Sequence, residues 1–458
     1  MQKNFLVLLF ICLTVNLTSQ EREFSLSQIQ EDFRFLKQSF DTYNPALGIF
    51  HPRTSFEERY QELYAELDQP LSDVEFYPYV MQLGAATREG HTFVRSDTVT
   101  QIFQGFFRNE FAYLPISVQG ASDKVYVWSN FSPDSTLERG AQILSINDRT
   151  TEEIVEHLSK FVIADGDIQT YKSEKAIDRF VSYYYWFLEK PASFKIKYVP
   201  PGGTGVKEVT LPAMVRDSMI AWRDRRYGKP KPRKEDISTV YTFSIDGNTA
   251  VLDLNTFNRQ LKDKYKIKPK KLYKEIFKEL REKGVKHFVM DVRNNTGGRR
   301  EYAKHLLPYL MKKNYSGPLQ RDKSWKGRTT QKKFPKAKKL AFDGQIYVLT
   351  NWRTFSNGSI VTIYAKEFGD AIVIGQEPGS RYEGFAAGST QYVTLPNTKI
   401  RVGIPRYLLQ STYAIQKTKL KNRGAVPDYP IQYQIQDYID QKDLAMDKVK
   451  ELIEATDQ

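Results

Sequence analysis

His287-Phe-Val-Met-Asp-Val-Arg-Asn-Asn-Thr-Gly-Gly298, read together with Ile346-Tyr-Val-Leu-Thr350 and Thr354-Phe-Ser-Asn-Gly358, decides the fold of the C-terminal half of the chain. In each case a short apolar run leads into a turn that opens a helix, which is the pattern of a buried strand followed by a strand-to-helix connection. A glycine pair at such a turn frees backbone N–H groups at the positive end of a helix dipole. A serine at a second such turn is held where a nucleophile is useful. Together they offer an attacking hydroxyl and donors for an oxyanion, the two requirements of acyl transfer.

Outward from these turns the alternation continues. Tyr241–Phe243, Thr249–Leu254 and Ala371–Ile374 read as strands, and Leu272–Lys283 as a helix stopped by Gly284. Strands alternating with helices predict a largely parallel sheet with helical cover. The N-terminal segment has helical spacing instead, with apolar residues at Leu26, Ile29, Phe33, Leu36 and Phe40, and again at Phe56, Tyr60, Leu63 and Leu67. Ser72-Asp-Val-Glu75 is a capping box opening a third helix, with Pro78 close behind. Between residues 106 and 205 the period shortens, with strand-like Tyr113–Val118 and Val125–Trp128. Arg223–Ser238, rich in charge and carrying Gly228, Pro230 and Pro232, reads as a linker.

The 458 residues exceed one comfortable core, and 40% hydrophobic with 27% charged residues is an ordinary globular composition. Residues 1–19 read as a secretory signal, with Lys3 as the positive start and Phe5–Leu13 as an apolar stretch too short to span a bilayer. The single cysteine, Cys12, falls within it, so the mature protein is expected to hold no thiol or disulfide. No later segment is long and apolar enough to cross a membrane. The net charge of +14 is concentrated in Arg223–Lys234 and Lys312–Lys339, read as solvated basic loops rather than a nucleic-acid surface. An acidic substrate or an anionic envelope surface is a milder alternative. His51, His157, His287 and His305 show no metal-ligand spacing, so no metal is expected.

Five blocks in order carry a family resemblance. Val289–Gly298 resembles the "ILDLRGNGGG" block of the tail-specific, or C-terminal processing, serine peptidases, relatives of the tricorn core and of the repeats of interphotoreceptor retinoid-binding protein. Thr354-Phe355-Ser356 stands at that family's nucleophile, and Ile372-Val-Ile-Gly-Gln-Glu-Pro378 is similar to its "IVGExT" strand. Gly90-His91-Thr92 resembles its upstream "DGHT", and Gly424-Ala-Val-Pro-Asp428 its "GVxPD". Leu137–Asn147 resembles the "LxxGDxILxING" signature of PDZ-like domains, with Gly140-Ala141 in place of "GD".

The resemblance implies a multidomain α/β protein. Its parts are a signal peptide (1–19), an N-terminal helical domain (22–105), a PDZ-like domain (106–205), a basic linker (206–238), a crotonase-like peptidase core (239–435) and a C-terminal helix (436–458). It implies an exported serine endopeptidase, periplasmic or extracellular, acting on polypeptides without a cofactor. Ser356 is the implied nucleophile and the amides of Gly298 and Asn357 the oxyanion donors; Gly297 reads as a substrate contact, and Arg381 as a residue that either holds a substrate carboxylate or simply pairs on the surface.

Three departures stand out. Many relatives place a lysine base about 25 residues after the serine; here that position is Arg381, whose guanidinium stays protonated. The family's "GExT" has become Gly375-Gln376-Glu-Pro378, and its "SAAE" Ser356-Asn-Gly-Ser359. His91 is therefore the expected base, since an imidazole titrates near working pH. Glu89, Glu383 and Asp428 are candidates for a third member of the set. The rival reading is a catalytically inactive binding protein that retained the fold, with Arg381 as the feature in its favour.

Overall fold

The computed structural model describes residues 22–232, 235–412 and 421–457. The expected signal segment and Cys12 lie outside the described residues.

A six-stranded sheet forms the centre of the C-terminal half, in the order Tyr241–Asp246, Thr249–Leu254, His287–Asp291, Gln345–Thr350, Ile372–Gly375, Tyr429–Pro430. Only the first pair is antiparallel. The continuous apolar runs of the sequence have a simple cause, because both faces of the sheet are covered. Phe288, Met290, Ile346 and Val348 point into one core with helices Pro269–Glu282, Arg300–Leu310 and Asn357–Gly369. Val289, Tyr347, Leu349 and Ile374 point the other way, against Ala445 and Val449 of the helix Leu444–Asp457. In this arrangement the Asp291–Gly298 and Thr350–Ser356 turns leave the same end of neighbouring parallel strands, so they meet.

The second sheet is antiparallel and joins parts far apart in sequence. In the long hairpin Gly384–Thr394 and Arg401–Ser411, the outer edge of the second strand pairs with Phe93–Arg95 near its start and with Pro318–Ser324 near its end, and Thr329–Lys333 pairs in turn with Pro318–Ser324. The N-terminal helices Leu26–Tyr43, Arg53–Ala65 and Asp73–Ala86 bury Phe33, Phe40, Phe56 and Phe76 against Val393, Ile400, Val402 and Ile404 of this hairpin. The capping box at Ser72 and Glu75 is formed, and Pro78 sits within the helix it opens. At position six of that helix the ring lies beyond the first turn, so one intrahelical N–H bond is forgone there.

The third sheet runs Lys207–Pro212, Ser193–Val199, Gln142–Ile146, Lys124–Asn130, Ile116–Ala121, with helices Thr151–Ser159, Gln169–Asp178 and Phe180–Phe187 on its core. This corrects the expected boundary at 205 and the linker that followed it. Residues 207–212 complete the sheet, Met214–Val215 pairs with Ala112–Tyr113, and Arg216–Tyr227 is a helix. The charges there had masked an alternation, in which Val209 and Leu211 pack onto the core while Lys207, Glu208 and Thr210 face water. Arg226, at the end of that helix, is no free linker charge: it donates to the carbonyls of Asn130, Ser132 and Asp134. The Lys312–Lys339 stretch is likewise more than a solvated loop, since it contains the hairpin Pro318–Ser324 and Thr329–Lys333. Before the last helix a short one, Ile435–Ile439, straddles the start of the expected C-terminal segment.

Candidate active site

Two turns are laced together at the end of the central sheet. Asn295 donates through Nδ2 to the Leu254 carbonyl (2.6 Å) and accepts at Oδ1 from the Gly297 N–H (2.8 Å). Its carbonyl accepts from the Phe355 N–H (2.9 Å), and the Thr354 hydroxyl donates to the Val292 carbonyl (2.8 Å). The close approach explains the glycine pair. A Cβ on Gly297 would stand 2.7 Å from Ser356 Cβ, and one on Gly298 2.2 Å from the Phe257 carbonyl oxygen; both have positive φ (+88° and +133°).

Ser356 has φ 54° and ψ −123°, a conformation a non-glycine residue holds only when its surroundings impose it. It precedes the helix Asn357–Gly369, yet its side chain makes no capping bond, so it is not an ordinary N-cap serine. Its N–H instead donates to Ser380 Oγ (2.8 Å), and its Oγ lies 3.1 Å from His91 Nε2. Asn357 Nδ2 donates to the Gly298 carbonyl (2.6 Å), and the N–H of that peptide, from Arg299, donates to the Phe257 carbonyl (2.8 Å). Among the described residues no hydrogen bond uses the Gly298 or Asn357 N–H. Both residues line a cavity of about 600 Å³ with His91, Ser356, Phe355, Phe385 and Leu409.

His91 arrives from the other end of the chain, beyond the helix Asp73–Ala86. Its ring packs between Phe355 (centroids 4.9 Å apart) and Phe385 (5.1 Å). Burial lowers its pKa to about 4, against a smaller upward pull from the Glu89 carboxylate. The ring is therefore neutral at physiological pH. Its Nδ1 finds no protein partner among the described residues.

Beneath the ring lies a buried charge cluster that ties the N-terminal loop to the catalytic half. Arg381, fully buried, pairs with Glu89 (3.0 Å) and donates to the carbonyls of Arg88 (2.7 Å) and Gly384 (3.1 Å). Glu89 accepts in addition from the Ala386 N–H (2.6 Å). Asp165 accepts from the Gly90 N–H (2.6 Å) and bonds Ser380, the same serine that receives the Ser356 N–H. Burial pushes the Glu89 and Asp165 carboxyls up, while Arg381 pulls both back down.

The expected substrate contacts are corrected by this geometry. Arg381 has no exposed donor for a ligand, because it is fully buried with its two terminal nitrogens bonded to Glu89 and two carbonyls. Gly297 offers no free backbone donor, because its N–H is held by Asn295 and its carbonyl accepts from Phe257 (3.2 Å); it serves close packing against Ser356. Of the candidates for a third member, Glu89 is the near one but is bonded to Arg381 and Ala386. Glu383 accepts from the Asn422 N–H (3.1 Å), and Asp428 pairs with Lys366 (2.6 Å). No hydrogen bond from Nδ1 reaches any of them. Asp165 and Ser380 were missed in the sequence. Ser380 lay in plain view beside Arg381, but Asp165 sits in a connection without a recognisable pattern. Among the described residues no group of three His, Cys, Asp or Glu could hold a metal, and no helix is long and apolar enough to cross a membrane.

Residues 248–431 match the model of peptidase family S41. A comparison with curated protein sequences found no match. Among solved structures the chain is similar to mature CPAF (TM-score 0.61, 14% identity, 90% of this chain and 94% of that one). It is also similar to mature CPAF complexed with lactacystin (TM-score 0.63, 15% identity, 93% and 98%). At such identity the likeness is one of fold, and it extends over nearly the whole of both chains. The family match spans the segment that carries both turns, so it is residues 248–431 that are similar to the serine peptidases of family S41.

Proposed function

We propose that the protein is an exported endopeptidase that works through a Ser–His pair, with no lysine base. The observation that carries this reading is the 3.1 Å contact between Ser356 Oγ and His91 Nε2, made by a serine held at positive φ and free of capping duty. Ser356 Oγ attacks the scissile carbonyl while its proton passes to His91 Nε2. The carbonyl oxygen takes the negative charge and is held by the Gly298 and Asn357 N–H groups at the start of the helix Asn357–Gly369. Collapse breaks the C–N bond, and His91 returns the proton to the leaving amine. A water then repeats the sequence on the acyl-serine, releasing the acid and restoring Ser356. A desolvated ring starts each cycle neutral, at some expense of basicity.

In this reading residues 239–435 form a crotonase-like core. The unit from Ala112 to Val215 is PDZ-like and presents a peptide end, and the N-terminal helical domain supplies His91. Residues 1–19 direct export to the periplasm or the exterior. Labelling of the purified protein with a fluorophosphonate, compared with Ser356→Ala and His91→Ala, is the test. Loss in both variants is expected. Loss in Ser356→Ala alone removes His91 from the mechanism, and a folded wild type that never labels favours the inactive binding protein.

A further inference from the structure

Beside the Ser356 cavity lies a larger one of about 1020 Å³, and the two share Arg300, Asn357 and Ile360 as a common wall. Its walls are strongly cationic. Lys270 and Lys274 come from the helix Pro269–Glu282, Lys304 from Arg300–Leu310, and Lys336, Lys338 and Lys339 from the segment after the hairpin strand Thr329–Lys333. Among the described residues no carboxylate lines it. None of these six lysines makes an ion pair among the described residues; Arg300 and Lys332, which also line it, share Asp322 (3.4 and 2.8 Å). Gathering like charges without neutralising them raises the potential over a concave, partly apolar wall and costs stability through mutual repulsion. His305 registers the field: its pKa is lowered first by burial and then by Lys304 and Lys270. The floor is apolar, built from Leu307, Leu319, Leu340, Ile360 and Tyr364.

We infer that this cavity is a substrate subsite for an acidic stretch of polypeptide, in which Asp or Glu side chains meet the lysine rim while apolar neighbours settle on the floor. The inference rests on the peptidase reading for its polypeptide, since the cavity opens onto the wall that carries Asn357. A nucleic acid is disfavoured by the lack of a stacking platform: Tyr309 is buried, and Tyr364 forms part of the floor. The subsite places specificity away from the scissile bond, so acidic residues at a fixed distance from the cut matter more than the residues that flank it.

The test uses the full chain carrying Ser356→Ala, which binds without turnover. Fluorescence anisotropy compares a labelled Glu/Leu peptide of about twenty residues with its Lys/Leu counterpart, before and after adding Lys304→Glu and Lys338→Glu. Both lysines are exposed, and neither belongs to the catalytic set. The expected result is preference for the acidic peptide, reduced roughly tenfold or more by the double charge reversal. If that protein does not fold, Lys270→Gln with Lys336→Gln gives a smaller shift in the same direction. Equal binding of the two peptides, or no change on reversal, overturns the subsite. So does a single-stranded oligonucleotide that displaces the acidic peptide at lower concentration than the peptide itself. Fluorophosphonate labelling of the wild type separates the two readings: acidic-peptide binding without labelling sinks the peptidase and leaves the subsite standing.

Discussion

The buried cluster under His91 and the lysine cavity beside Ser356 handle charge in opposite ways. Under His91 every formal charge is withdrawn from water and given a partner, with Arg381 against Glu89 and two carbonyls, and Asp165 against Gly90 and Ser380. In the cavity Lys270, Lys274, Lys304, Lys336, Lys338 and Lys339 stay wet and, among the described residues, without an ion pair. Buried pairs are costly to assemble but unforgiving of displacement, so they fix positions. Exposed cations fix nothing, yet attract over distance and tolerate many ligands. The molecule therefore uses one kind of charge to set a geometry of a few tenths of an ångström and the other to gather substrate.

That contrast can be broken most directly at Ser356. Ser356→Ala should lower peptide hydrolysis by about 10⁴-fold or more while leaving acidic-peptide binding intact. Full retention of hydrolysis in a rigorously purified variant would remove the site altogether. His91→Ala follows, with a loss of about 10²- to 10⁴-fold in kcat/KM, as befits general base catalysis. A smaller loss would mean that the 3.1 Å contact is packing only.

The positioning role of the cluster is tested by stability. Arg381→Met leaves Glu89 buried and unpaired and is expected to cost about 3–5 kcal/mol in denaturant unfolding. Combining it with Glu89→Gln should restore part of that loss, because the stranded charge is removed. No recovery would show that Arg381 acts through packing against Phe50, over which its guanidinium also lies (4.2 Å).

A pH profile sharpens the comparison further. The His91 pKa in the folded protein lies near 4, below the usual 6.5, so between those values the unfolded chain binds more protons than the folded one. The contribution of His91 to stability is complete above about 6.5 and is lost as pH falls through about 4. Activity should follow, with the acid limb of kcat/KM nearer 4 than 6.5. A limb near 6.5 would mean that the ring is hydrated in solution. The smallest effect is that of salt. Raising ionic strength from about 0.05 to 0.5 M should lower kcat/KM for an acidic substrate a few-fold and leave the fluorophosphonate labelling rate unchanged.

Much of the site was legible because its signals are local. The glycine pair is needed where two turns come within a methyl group of each other, and Ser356 opens a helix next to a parallel strand; both follow from short stretches of sequence. The role assigned to Arg381 was wrong for a physical reason. The sequence showed that a guanidinium cannot be a base, but only packing showed it buried against Glu89 and closed to ligand. The same holds for residues 207–227. Their charge density resembles that of a linker, yet alternate side chains fill the core of the third sheet.

By itself the sequence determined the strand–turn–helix units, the serine and glycine turns and the arginine that stands where many relatives carry a lysine, because these depend on backbone propensity and residue chemistry within a few positions. Only the tertiary structure decided that His91 lies on Ser356 across 265 residues, that Asp165 and Ser380 join the two halves, and that scattered lysines surround one cavity. Such contacts are set by how three sheets dock on one another, and pairs so distant in the chain leave no periodic trace along it.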